Sequence, residues 1–170
     1  MAPRASSGRD VRVRGLIAQV TIVALWLGAA ALFTLSVAPG AFAVLPSRDL
    51  AGALVGRILP VLFWAGAAMG AILVVLEIRG RRLAWRRTRI TSATLLVASC
   101  LIAQLQVAPR IAELRAGMNG PLASLAPDDP ARVAFGRLHM FSVAWLGVAM
   151  LGGTIFLAVA AITLDREEVP

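Results

Sequence analysis

Lysine and tyrosine are missing from this chain, histidine and cysteine occur once each, and only nine residues are acidic. Each scarcity excludes something. The lone Cys100 has no partner for an intrachain disulfide. A closed metal site needs about four ligands, and His139, Cys100 and the unevenly spaced methionines Met118, Met140 and Met150 do not form such a set. No HExxH, no GxSxG, no phosphate-binding loop and no carboxylate pair within an apolar run is present. Neither enzymatic activity nor a cofactor is therefore expected. Charge is scarce too, at 15% of residues against about a quarter in soluble domains.

What the chain has instead is apolar length. Of its 170 residues 59% are hydrophobic, and the mean hydropathy is +0.81. Four runs are long enough to cross a hydrocarbon core of about 30 Å. They centre on Gly15 to Val37, Ile58 to Leu76, Ile90 to Val107 and His139 to Leu164. Period-2 alternation is absent and each run far exceeds a barrel strand of about ten residues, so the runs read as helices. The first is also too long for the core of a signal peptide. The fold expected is an all-α integral membrane protein in one domain. Its four transmembrane helices should lie at about 15–37, 48–78, 88–108 and 130–164, with a basic loop at 79–89 and an opposite loop at 109–129.

All 17 basic residues are arginine, for a formal charge of +8. Eleven of them fall in the N-terminal arm, the second connection and the C-terminal tail, against six on the opposite side. By the positive-inside bias both termini face the cytoplasm of a multi-pass protein of the cell inner membrane. In "RGRRLAWRRTR", Arg79, Arg81, Arg82, Trp85, Arg86, Arg87 and Arg89 are expected among anionic lipid headgroups. Such a charge distribution makes lipids the partner and argues against nucleic acid.

The stretch "APGAFAVLPSRDLAGALVGRILP" separates the first two runs. Pro39 and Gly40 are expected to end the first helix. Ser47 is placed to cap the second and Asp49 to favour its first turn. That second helix would reach about 44 Å from Leu50 to Ile78 at about 1.5 Å per residue, so it begins outside the bilayer and Arg57 snorkels at the outer interface. Asp129 with Pro130 starts the fourth helix in the same way. Arg57, Gln104, Arg110, Glu113, Arg137, His139 and Ser142 then fall at one outer depth. Together they are expected to form a polar cluster, with Glu113 or Asp129 pairing the arginines. Gly52, Gly56, Gly66, Gly70, Gly147, Gly152 and Gly153 have the small-residue spacing of close helix packing, within the bundle or against a partner.

The series "WLGAAALFTLSVAPGAFAVLPSRDLAGALVGRILPVLF", "QLQVAPRIAELR" and "FGRLHMFSVAW", in that order, resembles the DUF4149 family of small four-helix membrane proteins, which includes transmembrane protein 205-like proteins. The likeness runs from about residue 22 to 156. One departure is Trp145 and Leu146, where the family often carries an asparagine a turn after the serine. The resemblance implies the fold and no established activity. The expected function is a non-catalytic accessory or structural subunit packing against a larger membrane complex, such as one of the respiratory or photosynthetic kind; the alternative is a small-solute transporter or stress-resistance protein acting through the outer polar cluster.

Overall fold

A computed structural model of the chain describes residues 4–80, 84–118 and 120–168. Arg81 and Arg82, expected at the headgroups, lie outside the described residues. Among those described there is no strand, and four helices are long and apolar enough to span a membrane. Helix α1 covers Arg4–Leu32 and continues through a wide π-helical turn, Phe33–Val37, into Ala38–Val44. Helix α2 covers Arg48–Arg79. Helix α3 covers Arg86–Ile102, passes through a second π-helical turn, Ala103–Val107, and ends with Ala108–Ala116. After a single 3-10 turn at Leu122–Ser124, helix α4 covers Pro130–Glu168.

The starts of α2 and α4 follow the local chemistry of the sequence. Ser47 has an extended backbone and its Oγ accepts from the Leu50 amide at 3.2 Å. Asp129 Oδ1 accepts from the Ala131 amide at 2.8 Å, with Pro130 in the first helical position where no amide is needed.

Two helices run past the prolines expected to end them. The first does not end at Pro39, and the third does not end near residue 108, so the distal loop shrinks to 117–129. The reason is the same in both. Proline lacks an amide and its ring presses on the carbonyl four residues back. Immediately before Ala38-Pro39 and Ala108-Pro109 the helix widens by one residue. The amide of Ala38 donates to Phe33 O, and that of Ala108 to Ala103 O. The widened turn makes room for the ring, and the helix goes on.

The four helices alternate in direction, so the start of α1 and the end of α4 lie at one end of the bundle, called here the terminal end; the other is the distal end. Helix α3 packs against α2 and α4, while α1 packs against α4 and, less extensively, α2. The helices thus form a ring with α1 opposite α3. Its core is small and apolar: Val23, Trp26 and Ala30 of α1, Phe63 and Ala67 of α2, Leu96 and Cys100 of α3, and Ala149 and Phe156 of α4. The outside is equally apolar, with Leu25, Val61, Ile72, Phe141 and Leu151 exposed. So much exposed hydrocarbon around a well-packed core suits a bilayer as solvent.

Glycine sets how close the helices come. A Cβ at Gly66 would lie 2.8 Å from the Trp26 ring and 2.9 Å from Cys100 Sγ, and one at Gly70 would lie 2.6 Å from Val97. Gly152 would meet the Ser92 carbonyl at 2.8 Å, and Gly153 touches Leu27 and Leu96. These four glycines pack the bundle's own interior. Gly147 has open space around it. The contact at Gly66 is sealed by Trp26 Nε1, which donates to the Leu62 carbonyl of α2 at 3.0 Å.

At the terminal end, two of the arginines expected at lipid headgroups turn inward. Arg89 is fully buried. Its Nε and Nη2 reach Glu77 Oε1 at 2.8 Å and Oε2 at 3.1 Å, and its Nη1 donates to Ala84 O at 2.8 Å and Thr163 Oγ1 at 2.9 Å. One side chain therefore ties together the end of α2, the start of α3 and the end of α4. Arg86 donates to the Glu77 and Ile78 carbonyls at 2.7 and 2.9 Å, closing the C-terminus of α2. Burial of Arg89 follows from its place one turn into α3 on the side facing Glu77, since a carboxylate at the end of an apolar helix needs a cation. Arg79, Arg87 and Trp85 remain exposed, as lipid contact requires. Trp85 caps α3 with a left-handed backbone, φ 59°, the only positive φ outside glycine among the described residues.

Candidate functional site

The distal end opens into a cavity of about 870 Å³, within the range of about 300–1,000 Å³ typical of small-molecule sites. Helix α2 lines one side with Gly52, Val55, Gly56, Leu59, Pro60 and Phe63. Across from it stand Ala103, Gln104, Ala108, Ile111 and Ala112 of α3, and Arg132, Phe135, Gly136, His139 and Ser142 of α4. Phe42, Arg48, Asp49, Arg115 and Leu122, together with Arg132 in the first turn of α4, ring the mouth. Pro60 withholds a helical donor from the Gly56 carbonyl at this wall.

The expected polar cluster is only partly assembled. Gln104, His139 and Ser142 all line the cavity. Arg57, Arg110, Glu113 and Arg137 are exposed and do not line it. Among the described residues no ion pair joins those arginines to Glu113 or Asp129, and Asp129 is engaged as the helix cap. Equal depth along four helices does not bring side chains together when they leave the helices on different sides, which is why the cluster does not form as a unit.

Arg115, Arg132, Arg48 and Asp49 take the place of the missing members. The Arg115 guanidinium carbon lies 5.1 Å from the centroid of the Phe135 ring, within cation–π range. Phe135 in turn stacks on His139 one turn below, centroids 6.3 Å apart and planes 6° apart. The guanidinium rests on bare helix backbone: positions where Gly52 and Gly56 would carry a Cβ lie 3.5 and 3.8 Å from its two terminal nitrogens. The first GxxxG of α2 is thus a seat for an arginine rather than a helix contact. Arg132 is held by its bond to Leu125 O at 2.7 Å. Among the described residues no group of three histidines, cysteines or carboxylates is arranged to hold a metal.

Sequence reasoning missed Arg48, Asp49, Arg115 and Arg132 as site members, yet a signal for the α2 and α4 positions was present. Val107-Ala108-Pro109 repeats Val37-Ala38-Pro39, each directly after or at the end of a π-helical turn. Asp129, Ala131, Gly136 and Arg137 repeat Asp49, Ala51, Gly56 and Arg57 at identical spacing. Aligning these would have set Gly52 opposite Arg132 and Leu59 opposite His139.

Four apolar spans make this a multi-pass helical membrane protein with a polar-mouthed cavity at one end. The chain belongs to the family described as domain of unknown function (DUF4149), whose model matches residues 21–119, more than half of its length. That match takes in the α2 and α3 walls of the cavity, and the α4 wall lies beyond it. No curated protein and no solved structure matches the chain.

Proposed function

We propose that the protein is a non-catalytic transport or resistance protein of the cell inner membrane, binding a small solute in the distal cavity, with both termini cytoplasmic. The observation that carries this reading is the cavity itself: Gln104, His139 and Ser142 line it, with three arginines at the mouth. Polar side chains within a membrane bundle are costly unless they meet each other, water or a ligand. The test uses a Cys100→Ser background carrying His139→Cys in intact cells. A membrane-impermeant thiol reagent added outside is expected to modify that cysteine. Absence of modification in intact cells and in detergent alike would mean the cavity is closed to water and the reading fails.

A second reading, an accessory subunit of a larger membrane complex, is supported by one feature. Ala144 and Gly147 leave a short row of small residues exposed on α4 ahead of Leu151, and Gly147 has open space around it. A partner helix could approach there closely. Arg79, Arg87 and Trp85 would add anionic headgroup contacts at the terminal end.

A further inference from the structure

We propose that the distal cavity takes one anionic amphiphile, a carboxylate or phosphate head on an acyl chain, between walls supplied by two matching halves of the chain. This rests on the cavity being a solute site. The two halves are α1 with α2 and α3 with α4, marked by the repeated Val-Ala-Pro after a π-helical turn and by the repeated Asp, Ala, Gly and Arg of the following helix. Sites at the junction of such repeats are a recurrent arrangement in membrane proteins.

Where matched positions of the two halves differ deep in this cavity, the second half is the polar one. Leu59 faces the site from the first half and His139 from the second. Gln104 and Ser142 also line the second half's side, whereas the deep residues of the first half are Val55, Leu59, Pro60 and Phe63. One wall is therefore hydrocarbon, ending in Phe63, and the other offers hydrogen-bonding groups. A uniformly polar solute leaves the first wall unsatisfied, and a plain hydrocarbon leaves the second. An amphiphile suits both.

Charge at the mouth selects the sign. Arg48, Arg115 and Arg132 face a single carboxylate, Asp49. Arg115 has no carboxylate partner among the described residues; it rests on the Gly52 and Gly56 backbone and on the Phe135 ring, which leaves its N–H groups free to take an anion. Depth agrees. At about 1.5 Å per residue, Phe63 stands about 21 Å along α2 from Glu77 and the Arg115 seat, from Gly56 to Gly52, about 32–38 Å. With Glu77 and Arg89 at one edge of a hydrocarbon core of about 30 Å, the floor of the cavity lies within the far leaflet and its mouth at the headgroups. A chain enters the apolar part while its head stays with the arginines.

The test is native mass spectrometry of the full chain, delipidated and presented with equal phosphatidylglycerol and phosphatidylcholine, with oleate, and with inorganic phosphate. Retention of one phosphatidylglycerol or one oleate per chain, in preference to phosphatidylcholine, is expected, and which of the two is held tells a bilayer lipid from a free fatty acid. Arg115→Gln should weaken retention about tenfold, the loss of one charge-assisted hydrogen bond. Arg57→Gln, an exposed arginine outside the cavity, should leave it unchanged. Gly52→Leu, which keeps the charge but occupies the seat, should reproduce the Arg115→Gln loss and serves if that variant does not fold. Equal retention of both phospholipids, competition by inorganic phosphate alone, or an Arg57→Gln effect as large as that of Arg115→Gln would overturn the proposal. If His139→Cys is modified from water and no anionic preference is found, the cavity stands and the ligand class falls.

Discussion

Arg89 and Glu77, twelve residues apart in the chain and on different helices, form a buried ion pair with Nε 2.8 Å from Oε1, in which Arg89 is 0% exposed. Around it the Thr163 hydroxyl and the Ala84 carbonyl take up further guanidinium donors. Three helices meet on this one side chain.

Breaking that pair from one side leaves a bare charge in a dry site. Glu77→Gln and Arg89→Ala should each destabilise the bundle by about 3–5 kcal/mol. Thermal unfolding in a fixed detergent measures it. Arg87→Ala, two residues away and exposed, should stay within about 0.5 kcal/mol. Similar melting for Arg87→Ala and Arg89→Ala would show that Arg89 serves the headgroups after all.

Overpacking tests the glycines. Gly66→Ala places a methyl against Trp26 and Cys100, and Gly70→Ala against Val97 and Leu96. A cost of about 1–3 kcal/mol each is expected, since rigid neighbours on both sides must move. A Gly66→Ala protein as stable as the parent would mean that α1 and α2 are not in contact through Trp26.

Gly147 separates packing from partnership. With open space around it, Gly147→Ala should leave stability unchanged within about 0.5 kcal/mol, and Gly147→Leu should fold as well. If a partner subunit seats on that row, Gly147→Leu will lose co-purifying proteins while keeping its melting temperature. Unchanged co-purification would remove the accessory-subunit reading from this face.

Orientation is open to a labelling experiment in the Cys100→Ser background. Ser124 is exposed in the distal loop and Asp10 near the N-terminus. An impermeant thiol reagent outside intact cells should mark Ser124→Cys and spare Asp10→Cys. The reverse pattern would invert the protein and turn the cavity toward the cytoplasm.

The number of spans, their approximate places and the caps at Ser47 and Asp129 could be read from the residues alone. Span length follows from the thickness of hydrocarbon, and capping from chemistry within three residues, so neither needs to know what lies alongside. The prolines misled, because Pro39 and Pro109 are strong local stop signals and the π-helical turns that carry the helix past them answer to the whole segment. What only the tertiary structure decided was direction: that Arg89 turns inward, that Gly66 and Gly70 face the core while Gly52 and Gly56 seat Arg115, and that Arg57 and Arg137 leave the site to others. In a soluble helix a polar face and an apolar face would have announced those directions. Here hydrocarbon surrounds the helices as it fills their core, so a residue's side is set by which neighbour it meets and is written nowhere in its own stretch of chain.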